Sequence, residues 1–220
     1  MKNIIDIYEG IFDADNKNNV GKVNVEASIK AFLEEHYKID HIKKITIEEQ
    51  NKDGKWVVDI VGNIYPINNH DIKRLTNDEF VFGKVRGHFA IIDRSLNSLE
   101  GCPTEVTEDF VIAGCRNIKS LVGCPQVVKR NVSVSGTSIK DFTGITQKIG
   151  GDLYANDCIF LSSFSGLPKT IKGYFTITNC PELTRIWCFP KVKGSVACDM
   201  RLEEFDIELS TRVDGEVYYY

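Results

Sequence analysis

Apolar and polar positions alternate in short bursts along most of the chain, and the bursts recur. Phe89, Phe110, Val132, Leu153, Phe175 and Val196 follow one another at steps of 21, 22, 21, 22 and 21 residues. Each opens a segment of one type: HFAIID, DFVIAG, NVSVSG, DLYAND, YFTITN and SVACDM. Four residues before each anchor stands a β-branched residue: Val85, Val106, Val128, Ile149, Ile171 and Val192. Two residues after it stands a second small or apolar one: Ile91, Ile112, Val134, Ala155, Ile177 and Cys198. Further on, apolar pairs recur three apart: Leu96/Leu99, Ile118/Leu121, Ile139/Phe142, Leu161/Phe164, Leu183/Ile186 and Leu202/Phe205. Glycines (Gly101, Gly123, Gly144, Gly166) and prolines (Pro103, Pro125, Pro168, Pro190) mark the corners that follow.

Six copies at one period exclude chance and define a structural unit. The F-x-I segment has period two, so both apolar side chains face one side of a strand. The L-x-x-L segment returns along an opposite wall, and Gly and Pro close the loop. One such coil cannot bury its apolar set alone. Stacked coils can, at about 4.8 Å per coil, giving a core roughly 25–30 Å long. The expected fold is mainly β with some α: a solenoid of about six coils with parallel strands over residues 83–207, followed by a tail or cap at 208–220.

Residues 1–82 do not follow the period cleanly. The apolar positions Val25, Ile29, Phe32 and Leu33 predict an amphipathic helix over about 25–37. KKITIEEQ and KWVVDIVG alternate on either side of NKDG, which predicts a hairpin over about 43–61. Residues 62–75 read as a degenerate coil. Ile64, Asn69, Ile72 and Leu75 fall at the repeat offsets, with Pro66 interrupting an inward strand position. An α+β region of this kind caps the open end of a solenoid, where an exposed edge would invite aggregation.

The repeat absorbs the cysteines. Cys115, Cys158 and Cys180 share one corner position with Thr137, which asks for a small, weakly hydrogen-bonding side chain. Cys102 and Cys124 share another, in paired GCP tripeptides, and stack on adjacent coils near enough for oxidation to be conceivable. Cys198 takes an inward strand position, and Cys188 stands where other coils have the corner glycine. Seven cysteines without a secretory signal read as reduced thiols. The acidic start, MKNIIDIYEGIFDAD, is neither a signal nor a transit peptide, and no apolar run reaches membrane-span length. A cytoplasmic or virion-associated location is expected. A net charge of −4 and the lack of any Lys/Arg run argue against nucleic acid as a partner.

Few residues point to chemistry. Residues 13–26 invite a calcium-loop reading. From Asp13 the loop lacks the glycine and glutamate that such loops require. From Asp15, Glu26 is in place but Lys17 and Val20 are wrong. His36, His41, His70 and His88 show no metal spacing, and no nucleophile elbow or phosphate loop occurs. No cofactor, metal or catalytic residue is expected. The outward strand positions carry more information. They are small and polar, nearly free of Lys and Glu, and include two tyrosines. Such low-entropy residues suit a contact surface, although strands favour Ser, Thr and Tyr in any case. The candidate binding patch is Asp152, Tyr154, Asn156, Tyr174, Thr176 and Thr178.

F-x-I-x-x-C-x-x-I-x-x-L, as in Phe110 to Leu121, resembles the leucine-rich-repeat pattern L-x-L-x-x-N/C-x-L. The lead-in IGGDLYANDC and the tail L-x-S-L-x-G-x-P are similar to irregular members of that superfamily, the receptor-L-domain-like repeats and short repeat proteins of bacteriophages and gut bacteria. The resemblance covers residues 83–207. It implies a parallel strand array and a protein-binding role, and brings no catalytic residues. The corner Cys or Thr departs from the usual Asn, so the usual asparagine ladder is not expected. The leading expectation is a non-enzymatic protein–protein interaction module. The alternative is a structural component of a phage or other multi-subunit particle, assembling as a homo-oligomer or with other subunits through its cap or tail. An enzyme housed in the N-terminal region is the third and weakest.

Overall fold

A computed structural model describes residues 20–67 and 72–220. In chain order the strands are β1 (Ile42–Gln50), β2 (Trp56–Gly62), β3 (Phe80–Arg86), β4 (Phe89–Ala90), β5 (Glu105–Val106), β6 (Phe110–Val111), β7 (Val127–Val128), β8 (Val132–Ser133), β9 (Lys148–Ile149), β10 (Leu153–Tyr154), β11 (Thr170–Ile171), β12 (Phe175–Ile177), β13 (Lys191–Val192), β14 (Val196–Cys198) and β15 (Val217–Tyr219). The helices are α1 (Val20–His36) and α2 (Asp206–Ser210).

The period becomes a parallel-strand β-solenoid. The anchors stack in register: Phe89 on Phe110, Phe110 on Val132, Val132 on Leu153, Leu153 on Phe175 and Phe175 on Val196. All six are buried, with the inward residues two places on. The L-x-x-L pairs line the opposite wall, and almost all of their side chains are buried. The β-branched column four residues upstream does more than fill space. It forms a second parallel ladder, Val85–Val106–Val128–Ile149, and then Ile171–Val192. Each coil therefore contributes two strands, most only two residues long, to two walls around one core, the second wall being divided between β9 and β11.

The corner between strand and return arc needs a left-handed backbone. Gly114 and Gly136 supply it at φ 74° and 69°, and Asp157 and Asn179 supply it at 58° and 59° in the next two coils. Asp and Asn tolerate that region best among residues with a Cβ. The second corner uses Gly101, Gly123, Gly144 and Gly166, and in the fifth coil Cys188 at φ 65°.

The stack runs beyond the six clean copies at both ends, to about eight turns. Ile64 bridges Phe89 in parallel, so residues 62–67 do form a coil strand. Pro66, which lacks an N–H, sits where pairing passes from Phe89 to Tyr37. Asn69 lies outside the described residues. At the other end Val213 bridges Val192, and β15 pairs with β14 through Val196–Val217, again 21 residues apart. A 3₁₀ turn, Met200–Phe205, and α2 replace the return arc of that coil and bury Leu202 and Leu209.

The N-terminal elements are continuous with the solenoid. β1 and β2 pair antiparallel around a turn in which the Asn51 side chain accepts the N–H groups of Asp53 and Lys55. β2 then pairs in parallel with β3, which spans residue 82 and pairs onward with β5. Helix α1 buries Ile29 and Leu33. Phe32 meets Phe80 edge-on at 5.7 Å, and the Tyr37 hydroxyl donates to Leu75 O at 2.6 Å. One hydrophobic core runs from Ile29 to Val213. Among the described residues no helix is long and apolar enough to cross a membrane.

Candidate functional site

The outward face of the F-x-I sheet is organised by hydrogen bonds that the sequence did not reveal. At the position just before every anchor except Phe175, the side chain of one coil accepts the backbone N–H of the next. Asn63 Oδ1 accepts from His88 at 2.9 Å, and His88 Nδ1 from Asp109 at 3.3 Å. Asp109 Oδ1 accepts from Asn131 at 3.0 Å, Asn131 Oδ1 from Asp152 at 2.8 Å, and Asp152 Oδ1 from Tyr174 at 2.8 Å. Ser195 Oγ accepts from Glu216 at 3.1 Å. The ladder explains the second glycine in IGGDLYANDC, where a Cβ at Gly151 would collide with the Asn131 carboxamide oxygen, while a Cβ at Gly150 would run into the Lys129 carbonyl. This Asp/Asn ladder runs up a column other than the corner one.

A second, shorter ladder lies four residues further along the strands. Ser135 Oγ accepts from Asn156 N at 3.1 Å, and Asn156 Oδ1 accepts from both Thr178 N and Thr178 Oγ1. Asp199 caps the corner of the preceding coil through Asn179 N and Cys180 N, each at 2.9 Å.

The six candidate residues do lie on one face of two adjacent coils, and they divide into two groups. Asp152, Asn156 and Thr178 are committed to the ladders. Tyr154, Tyr174 and Thr176 are not. The Tyr154 hydroxyl donates to Asp152 Oδ2 at 2.8 Å, and that bond to a carboxylate pushes its pKa up to about 12. Tyr174 is 56% exposed, and its hydroxyl makes no hydrogen bond among the described residues. Thr176 Oγ1 is covered and unpartnered.

Two further tyrosines join the patch. Tyr218 stands in register with Ala197, and so in the column of Tyr154 and Thr176. Tyr220 follows two places on, its N–H bonded to Cys198 O. They are 46% and 71% exposed. Tyr218 repeats the Tyr154 arrangement by donating to Glu216 two residues before it. That bond raises its pKa, and Tyr174 and Tyr220 add to the effect as neighbours. Between Tyr154 and Tyr218 the floor is Thr176, Ala197 and Ser195. Three coil steps separate the two tyrosines, roughly 14 Å. The third terminal tyrosine, Tyr219, turns to Asp206, donating at 2.6 Å. The signal for Tyr218 was present in the sequence as the 21-residue step from Ala197.

No family model matches this chain, and neither any curated protein nor any solved structure matches it.

The remaining groups offer little chemistry. The corner thiols of Cys115, Cys158 and Cys180 donate to carbonyls of the preceding coil, those of Ile91, Val134 and Ala155, at 3.3–3.4 Å. Burial pushes Cys115 up to about 11, and Cys124, Cys180 and Cys198 up to about 12, so these thiols stay protonated and poorly nucleophilic at neutral pH. Among the described residues no three His, Cys, Asp or Glu side chains gather as a metal site. The calcium-loop carboxylates Asp13 and Asp15, and also His70, lie outside the described residues. His36 stacks on Phe32 at 4.1 Å, and His41 meets the Tyr65 ring edge-on. Beside the strand face, along the glycine corner, Ile159 and Phe160 are half exposed and border a groove of about 560 Å³ floored by Gly114, Ser135 and Gly136.

Proposed function

We propose that this protein is a non-enzymatic interaction module that holds a protein partner on the outward face of its F-x-I sheet. One observation carries the reading. Tyr154, Tyr174, Tyr218 and Tyr220 converge on the last four coils over a floor of small side chains. Tyrosines offer large amphipathic contact area at low conformational cost and are frequent binding anchors. The Asp/Asn ladder beneath them holds the backbone in register, so little order has to be imposed on binding. The likeness to leucine-rich repeats is part of this proposal and rests on F-x-I-x-x-C-x-x-I-x-x-L with its lead-in IGGDLYANDC and tail L-x-S-L-x-G-x-P.

The test is a capture experiment from the native host with the parent and with the double variant Tyr174→Ser/Tyr218→Ser. A partner retained by the parent and lost by the variant, with the melting temperature held, supports the reading. Equal capture by both removes this face from consideration. The same patch facing a second copy would make the chain a component of an assembly. Light scattering after size exclusion separates the two: a monomer fits a module for a different partner, and a defined oligomer that dissociates in the double variant fits assembly.

A further inference from the structure

The second sheet carries a charge pattern that changes along the stack. In its first coils the outward charges are paired. Glu105 bridges Lys84 at 2.9 Å and Lys129 at 3.3 Å, Glu108 bridges Arg130 at 2.9 Å, and Asp59 faces Arg86 at 3.7 Å. The same repeat positions in the later coils hold Lys148, Lys172, Lys191, Lys193 and Arg212 against one carboxylate, Asp214, and Lys169 stands one place before them beside Thr170. Asp214 bridges Lys191 at 3.3 Å. Lys148, Lys169, Lys172 and Lys193 are exposed and form no ion pair among the described residues. Thr170–Lys191 and Ile171–Val192 are in register, which sets Lys172 directly beside Lys193. Like charges opposed across a sheet are destabilising, and the chain as a whole is net negative at −4. The first coils show that this position accepts carboxylates readily. With Asp214 alone there in the later coils, a concentrated positive face remains that folding does not require.

We propose that this lysine face docks an extended, carboxylate-rich segment of a partner protein. An extended chain with acids at alternate positions presents carboxylates about 6.8 Å apart, which is the step from Lys191 to Lys193 along their strand. The neighbouring coil adds Lys172 about 5 Å away. Single-stranded nucleic acid fits less well, because these positions carry no aromatic side chain on which a base could stack. They also carry no exposed apolar side chain to enter a bilayer. The lysines come from three coils, one or two per coil, so no run of basic residues marks them in the sequence.

Fluorescence anisotropy tests this with the intact chain and a labelled peptide of alternating Glu and Ser. The probe should bind at low ionic strength and release as salt is raised, since screening shortens the reach of exposed charges. Lys172→Glu/Lys193→Glu should weaken binding at least tenfold. Lys119→Glu/Lys140→Glu changes the net charge equally on another wall and should leave binding within twofold. Should the first double variant fail to fold by circular dichroism, Lys148→Gln/Lys172→Gln serves instead and should weaken binding at least threefold. The proposal is overturned if the peptide does not bind, or if both walls lose binding equally. It is also overturned if a single-stranded oligonucleotide of equal charge, or phosphatidylserine vesicles, bind more tightly than the peptide.

Discussion

Two parallel sheets climb the same stack of coils, and only one of them is continuous. The F-x-I sheet runs unbroken through seven strands, from β4 to β15. The valine sheet runs from β1 to β9 and stops. β11 and β13 form a separate pair, and at the seam the Gln147 carboxamide donates to Gly166 O at 2.9 Å. Within the repeats both sheets are built from strands of two or three residues on apolar inner columns, so burial does not distinguish them. The side-chain ladder does. In the F-x-I sheet nearly every coil accepts an N–H of the next. In the valine sheet one bond of this kind occurs among the described residues, from Lys84 N to Asp59 Oδ1 at 2.7 Å. Strands this short carry few backbone bonds each, and a polar side chain that adds one per coil is a large fraction of the total. The comparison teaches that apolar periodicity stacks the coils in both sheets, while polar side chains on the outside add bonds between coils to the sheet that runs unbroken.

The largest expected effect separates the inner from the outer side of one strand. Phe175 is fully buried against Phe142, Phe164 and Phe189, with ring centroids 6.2, 6.2 and 5.9 Å away. Phe175→Ala should cost about 3–5 kcal/mol, as expected for truncating a large aromatic in a packed core. Tyr174→Ala, one residue away and outward, should change stability by less than about 0.5 kcal/mol. Urea unfolding of both variants checks this. Equal losses would mean that Tyr174 packs into the structure and is not a free contact residue.

The next largest tests the ladder itself. Asp152 accepts Tyr174 N and the Tyr154 hydroxyl, so Asp152→Ala strands two donors and should cost about 1–3 kcal/mol. Asp152→Asn keeps an acceptor for the Tyr174 amide and should recover most of the loss. Hydrogen exchange at the Tyr174 amide gives the local reading: fast in the alanine variant, protected in the asparagine one. If both variants protect it equally, the ladder does not hold this sheet closed.

Much of this architecture was legible as sequence. The anchor column, its inward partner and the return arc each recur at a fixed step, and each is buried as the pattern requires. The corner cysteines were legible for the same reason, since Thr137 replaces one of them. The second sheet was legible only as a column of β-branched residues, because two residues cannot show a period. The ladder was hidden because its members differ in type: Asn63, His88, Asp109, Asn131, Asp152 and Ser195 share an acceptor atom and little else. Tyr218 and the lysine face were missed for opposite reasons. The first keeps the repeat step after a helical insertion has disguised it. The second exists only once coils 21 residues apart are laid side by side.

A smaller effect is expected at the corner that breaks the glycine rule. Cys188 holds φ 65° where four other coils have glycine. A side chain in that region costs roughly 1 kcal/mol, so Cys188→Gly should raise stability by about that amount. It should also remove a thiol that reacts at once with a disulfide reagent in the folded chain. Cys188 is the exposed cysteine, while Cys115, Cys158, Cys180 and Cys198 are buried. Loss of stability in the glycine variant would show that the Cys188 side chain contributes packing that outweighs its backbone strain.

The smallest effect at neutral pH, and the one with the most specific signature, belongs to the Tyr154 hydroxyl. Tyr154→Phe removes a half-exposed hydrogen bond to Asp152 and should cost about 0.5–1 kcal/mol at pH 7. The sign of its pH dependence follows from the raised pKa. The folded chain holds the phenolic proton up to about pH 12, against about 10 for an ordinary tyrosine. The bond therefore contributes fully below pH 10 and is lost as the pH climbs toward 12. The gap between parent and variant should be constant from pH 7 to 9, shrink between 10 and 12, and then vanish. Other tyrosines titrate in both proteins and cancel in the difference. Urea midpoints at pH 7, 9 and 11.5 give the three points needed. A gap that does not narrow would mean the hydroxyl does not donate to Asp152. Tyr154 would then stand free on the strand face beside Tyr174, with both Asp152 oxygens left to the backbone of the sheet.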